Sequence, residues 1–139
     1  TINFYSCDGM YAVDLPGYGY AKISKSDKLR WSGLIEGYLM SDRDIGLIFQ
    51  LVDMRHPPSK DDYHMINFMI DAELPFVIVF TKADKLSKNQ RAERMKGFAE
   101  EIPCFDQIRT VQFSAQTGEG ADEIRDIISD ITDNFNEKE

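Results

Sequence analysis

The sequence predicts an α/β domain built on a mainly parallel sheet, and three observations predict it. Short apolar runs alternate with stretches of helical periodicity, apart from an opening hairpin, which points to a parallel sheet with one antiparallel edge. The run Phe76-Val77-Ile78-Val79-Phe80 is apolar throughout and stops at Thr81-Lys82-Ala83-Asp84, as a strand buried on both faces does where it meets a loop. A second run, Met10-Tyr11-Ala12-Val13, stops at Asp14-Leu15-Pro16-Gly17. In open α/β sheets ligands bind beyond the carboxyl ends of such strands.

Taken in order, Thr1–Ser6 reads as a strand, Cys7-Asp8-Gly9 as a hairpin turn, and Met10–Asp14 as the returning strand. Leu15 to Ser26 is a Gly- and Tyr-containing loop in which Gly17 and Gly19 are candidate hinges. A helix is expected over about Asp27 to Met40, with Leu29, Leu34, Ile35, Tyr38 and Leu39 as its apolar positions and Trp31 as a packing residue. Ile45–Val52 reads as a buried strand ended by Asp53, and Arg55-His56-Pro57-Pro58 cannot be helical, because residues before proline avoid the helical region. Ser59 is an N-cap with Asp61 and Asp62 in the first turn, and its helix turns Tyr63, Ile66, Met69 and Ile70 inward. Pro75 opens the strand to Phe80. A helix over Lys88–Glu101, a strand over Thr110–Phe113 and a helix from Ala121 to Phe135 complete the pattern.

Composition bounds the function. The 139 residues fit one domain, and 42% hydrophobic content is enough for a core. Cys7 and Cys104 are the only cysteines and have no metal-binding spacing, so free thiols in a reducing cytoplasm are the simple reading. No apolar run approaches the ~20 residues of a membrane span. The net charge of −8 argues against nonspecific binding to a polyanion such as RNA. A nucleic-acid partner therefore requires a local basic surface, and Lys22, Lys25, Lys28 and Arg30 cluster after the Asp14 loop with Asp27 as the only acid among them. Such a cluster is also compatible with a solvated helix start.

Three motifs carry chemistry. In Thr81-Lys82-Ala83-Asp84, the Asp84 carboxylate offers two adjacent acceptors, which match the ring N–H and exocyclic amine of guanine; adenine has an acceptor where guanine has its ring N–H. The methylenes of Lys82 can lie along the base. The bland alternative is a turn in which Asp84 caps the next helix. In Asp14-Leu15-Pro16-Gly17, Asp14 is suited to hold a water on Mg²⁺, a hard cation that keeps several waters. The Gly17 N–H can approach a terminal phosphate, and Pro16 restricts the loop. A plain turn fits these residues equally well. In Phe113-Ser114-Ala115, the Ala115 N–H is a donor for the guanine carbonyl and the Ser114 hydroxyl a brace. Their order along the chain makes coincidence a poor explanation.

Asp14-Leu15-Pro16-Gly17-Tyr18-Gly19-Tyr20-Ala21-Lys22, Asp53-Met54-Arg55-His56-Pro57-Pro58 and Thr81-Lys82-Ala83-Asp84-Lys85 resemble the signatures of the EngB GTPases, which assist assembly of the large ribosomal subunit. The Thr81 form is typical of that family where most GTPases have Asn. The resemblance implies a P-loop NTPase (Ras-like) fold with helices on both faces of the sheet. It implies GTP or GDP with Mg²⁺, a ribosomal partner (rRNA or protein), a monomeric cytoplasmic protein, no membrane, and the cell-division and septation association of that family. The nucleotide site it implies comprises Asp14, Leu15, Pro16, Gly17, Thr81, Lys82, Ala83, Asp84, Phe113, Ser114 and Ala115, with Asp14 on the metal through water.

No Gly-x-x-x-x-Gly-Lys-Ser/Thr run occurs among the 139 residues. By resemblance that phosphate-cradling loop, the first strand and helix, and a switch Thr belong to a segment upstream of Thr1, so the chain is expected to be an N-terminally truncated single GTPase domain. The family's first strand lies between Met10–Asp14 and Gly46–Asp53. A gap of about five residues forfeits ladder bonds at roughly 1 kcal/mol net each, against the about 5–15 kcal/mol a domain has in hand. The expectation is a chain without independent stability or activity, and a rearranged sheet in which the flanking strands pair directly is the alternative. Ras-like enzymes orient the attacking water with a Gln after Asp-x-x-Gly. Here that residue is Tyr18, which implies a slow GTPase. No residue, His56 and His64 included, is assigned a catalytic role. The rival function is a nucleotide-incompetent module that binds ribosome or RNA through the basic loop.

Overall fold

The computed structural model describes residues 3–7, 10–15, 25–41 and 44–137, and these divide into two compact units, residues 1–45 and 46–139. In the first, β1 (Asn3–Cys7) pairs antiparallel with β2 (Met10–Asp14), Asn3 opposite Asp14 and Cys7 opposite Met10. The helix α1 (Lys25–Leu39) follows. Of its expected apolar stripe, Ile35 and Leu39 are buried, whereas Leu29 and Leu34 are exposed. Leu29 lies off the i, i+4 row that joins Ile35 to Leu39, so it cannot share their face. The Trp31 side chain lies outside the described residues.

The second unit alternates as the pattern predicts: β3 (Ile48–Asp53), α2 (Lys60–Asp71), β4 (Phe76–Thr81), α3 (Lys88–Glu101), β5 (Arg109–Gln112) and α4 (Ala121–Glu137). The three strands form a parallel sheet in the order β3-β4-β5. Central β4 is buried on both faces. On one, Val77 and Val79 pack with Val111 of β5 and Ile127 of α4, joined by Ile124 and Ile131. On the other, Phe80 stacks on Phe98 of α3 at 4.2 Å between ring centroids. Helices therefore cover both faces of the parallel sheet, as expected.

Local chemistry sets the helix starts. Ser59 and Asp62 form a reciprocal capping box at the head of α2, and Ser87 and Gln90 form another at α3. Met65, Ile66 and Met69 are the buried residues of α2, while Tyr63 and Ile70 are half-buried. Among the described residues the expected single sheet with an antiparallel edge is not seen. The hairpin and the parallel strands are separate sheets, and direct pairing of β2 with β3 is not seen among the described residues. The ladder needs a strand offering both edges, and no described segment supplies one.

Candidate site at the carboxyl ends of the parallel strands

β3 and β4 end in register, with Asp53 beside Thr81. The ladder reaches one residue further, the Met54 N–H donating to the Thr81 carbonyl at 3.0 Å. The Thr81 hydroxyl points back at the Val52 carbonyl, 3.4 Å away. The chain then breaks from the strand at Lys82, whose backbone is left-handed (φ 61°, ψ 33°), and enters a single 3₁₀ turn, Ala83–Lys85. A lysine in this region costs of order 1–2 kcal/mol, and such positions persist where surrounding contacts over-determine them.

Those contacts come from the end of β5. The Phe113 N–H donates to the Phe80 carbonyl (2.8 Å) and the Phe113 carbonyl accepts from the Ala83 N–H (3.1 Å), latching one loop to the other. Ala83 is fully buried, so it seats the loop and has no N–H left for a ligand. Ser114, also fully buried, donates its hydroxyl to Asp84 Oδ1 at 2.8 Å and accepts from the Thr117 N–H at 3.2 Å. Its own N–H donates to the Glu119 carbonyl, and its carbonyl accepts from the Gly118 N–H. Arg91 of α3 grips the Glu119 carboxylate at 2.7 and 2.9 Å. Gly118 and Gly120 take positive φ (82° and 84°), and a Cβ on Gly120 would stand 2.3 Å from the Gln112 carbonyl oxygen. The turn therefore requires glycine at that point.

The outcome is a carboxylate fixed in direction and partly used. Asp84 Oδ1 takes one bond from Ser114, and Oδ2 lies 3.8 Å from the Lys85 ammonium. Each oxygen has two lone pairs, so acceptor capacity remains on both. The neighbouring Ala115 is exposed and its N–H has no partner among the described residues. Two adjacent acceptors and a nearby donor are what the edge of guanine demands.

A second carboxylate stands at the end of β3. Arg55 donates to Asp53 through its backbone N–H (3.0 Å), Nε (3.0 Å) and a terminal nitrogen (2.8 Å). Lys82 Nζ is 3.5 Å from Asp53 Oδ2. Hydrogen bonding from the Arg55 side chain, partly opposed by burial, holds the Asp53 carboxyl at about 2, and Asp53 in turn raises the Arg55 guanidinium.

Five residues named from the sequence, Thr81 through Asp84 and Ser114, thus converge in the second unit, with Phe113 and Ala115 beside them. Asp14 ends β2 in the first unit and is exposed, and Leu15 is half-buried. Pro16, Gly17, Tyr18, Gly19 and Lys22 lie outside the described residues, as does the Lys28 side chain; Lys25 and Arg30 are exposed on α1. His56 and His64 are exposed. Among the described residues there is no group of three or more His, Cys, Asp or Glu placed to hold a metal, and no helix is long and apolar enough to cross a membrane. Sequence reasoning missed the Arg91–Glu119 grip and the Arg55–Asp53–Lys82 chain of charges. The one available signal was that Asp53 and Lys82 both follow strands that end together.

No protein-family model matches the chain. Among curated proteins it is 39% identical to a probable GTP-binding protein EngB of Thermotoga petrophila over 132 residues, 94% of this chain and 68% of that protein. It is 41% identical to that of an Exiguobacterium species over 124 residues, 88% of this chain and 63% of that protein. Among solved structures, a probable GTP-binding protein EngB superposes with a TM-score of 0.79 at 17% identity, covering 96% of this chain and 82% of the other. Elongation factor SelB of Methanococcus maripaludis superposes with a TM-score of 0.65 at 20% identity, over 96% of this chain and 28% of that one. At those identities the superpositions speak for the fold alone, a P-loop GTPase fold. The sequence matches carry the family, and the chain belongs to the EngB family of GTP-binding proteins.

Proposed function

We propose that this chain carries the guanine-reading site of a GTP-binding protein, a slow GTPase that assists assembly of the large ribosomal subunit. The observation that carries the base-reading part is the Ser114 hydroxyl on Asp84 Oδ1 at 2.8 Å. A carboxylate so held keeps its orientation, and its free lone pairs accept the ring N–H and the exocyclic amine of guanine. Ala115 donates to the base carbonyl, and the Lys82 stem covers the face of the ring. Adenine would set an acceptor against a carboxylate, a mismatch that leaves a partly buried charge unsatisfied.

By the family resemblance, Asp14 would hold Mg²⁺ through a water and Gly17 would serve the γ-phosphate. Asp14 suits this role because it is exposed at a strand end, and a hard cation that keeps several waters asks the protein for only one or two carboxylates. Magnesium supplies charge neutralisation on the phosphates. Tyr18 in place of a water-orienting Gln supports slow intrinsic hydrolysis, raised on the ribosome. The exposed Lys25 and Arg30 support a contact with rRNA or a ribosomal protein on an otherwise acidic chain.

Titration of a fluorescent GDP analogue into this chain with Mg²⁺, with unlabelled GDP and ADP as competitors, tests the reading. Saturable binding displaced by GDP and not by ADP supports it. Displacement by both, or no binding, overturns it for this chain and leaves the ribosome-binding module as the surviving function.

A further inference from the structure

Lys82 has a long, half-exposed side chain on a left-handed backbone, and of the described groups Asp53 is the one that meets its ammonium, Nζ lying 3.5 Å from Oδ2. Asp53 is itself immobilised. Both its oxygens accept from the Arg55 guanidinium in a planar fork, and Oδ1 also accepts from the Arg55 backbone N–H. Strand register sets that carboxylate beside Thr81, the residue before Lys82. One fixed anion thus stands between two cations, the first as clamp and the second as cargo.

A free lysine loses much of its rotamer entropy when a ligand pins its stem. A lysine whose tip is already tethered loses less, and the difference appears as affinity. We propose that Asp53, anchored by Arg55, is the positioning residue for Lys82, holding its methylenes as a preformed apolar floor for the guanine ring. This rests on the reading of Asp84 as the base reader. The low proton affinity of Asp53 keeps the tether charged across the physiological range. The Arg55–Pro58 segment becomes, through the same carboxylate, a lever on the base site.

The test is a double-mutant cycle with Asp53→Asn and Lys82→Met, the latter keeping an apolar stem without the charge, read by the dissociation constant of the fluorescent GDP analogue. Each single substitution is expected to weaken binding roughly tenfold, and the double no further than either single. Losses that multiply, or an Asp53→Asn protein within about twofold of the parent, would overturn the proposal. Carbon-13 relaxation at the Lys82 ε-methylene reads the tether without nucleotide: it should be restrained in the parent and as mobile as exposed Lys88 after Asp53→Asn. Equal mobility of Lys82 and Lys88 in the parent overturns the proposal on its own. Asp84→Asn in parallel separates the two ideas, because unchanged GDP affinity there sinks the base-site reading, while the relaxation result still decides the tether.

Discussion

β4 runs into a loop that carries Asp84 and β2 ends at Asp14, yet the surroundings of the two aspartates differ. β4 lies between two partner strands, and Val77, Ile78, Val79 and Phe80 are all buried. Among the described residues β2 has one partner strand, and Phe4, Tyr5 and Tyr11 are more than half exposed. Beyond β4 the Ala83 N–H pairs with the Phe113 carbonyl just past β5, and Asp84 receives a bond from a fully buried serine. Asp14 ends an exposed strand. The difference teaches that a strand buried on both faces hands a fixed frame to the carboxylate just beyond it. A loop inherits its precision from the ladder it leaves.

The comparison breaks first in the core. Phe80→Ala removes the ring that stacks on Phe98 and should destabilise the parallel-sheet unit by about 3–5 kcal/mol. Tyr11→Ala, the same kind of truncation at 73% exposure, should stay within about 0.5 kcal/mol. Urea denaturation followed by tryptophan-independent circular dichroism checks both, and similar losses would abolish the distinction. Next comes Gly120→Ala. With φ at 84° and a Cβ 2.3 Å from the Gln112 carbonyl, it should cost about 1–3 kcal/mol and lower GDP affinity by shifting the turn that seats Ser114. The same melts and titrations measure it.

Ser114→Ala sharpens the comparison inside the site. It strips Asp84 Oδ1 of its donor and the Thr117 N–H of its acceptor, costing about 1–3 kcal/mol, with a loss of GDP affinity that Thr at the same position should partly restore. The smallest effect is on acid stability. Asp53 is lowered from 3.8 to about 2 in the folded chain, so its contribution is fully present above the unfolded value and is lost as pH falls toward 2. An Asp53→Asn protein should accordingly lose less stability than the parent between pH 5 and 2, in melts repeated across roughly that range.

Much of this was legible from residues alone. The helix expected over about Lys88 to Glu101 formed with those bounds, and the Ser87–Gln90 capping box that starts it, though present in the sequence, was not read from it. The strand ends were not. Ile45 looked like the start of β3, but the first inter-strand bond there is from the Ile48 N–H to the Pro75 carbonyl, and a strand begins where its partner does. Ser114 as a brace was read from its place after the strand Thr110–Phe113, in order behind the other two motifs. Its partner atom was not, since Asp84 lies 30 residues away. Arg55 read as part of a rigid proline loop, because nothing local shows that its guanidinium folds back on Asp53 toward Lys82. Periodicity and caps are local and survive in sequence; pairings across the sheet end do not.

The most direct test of the account is an exchange of base. Guanine bears an amine at the position where xanthine bears a carbonyl, so a carboxylate suits the first and an amide the second. Asp84→Asn is expected to weaken GDP binding roughly a hundredfold and to bring xanthosine diphosphate into the affinity range the parent shows for GDP. Unchanged affinity for GDP, with no gain for xanthosine diphosphate, would contradict the central claim that Asp84, braced by Ser114, reads the base.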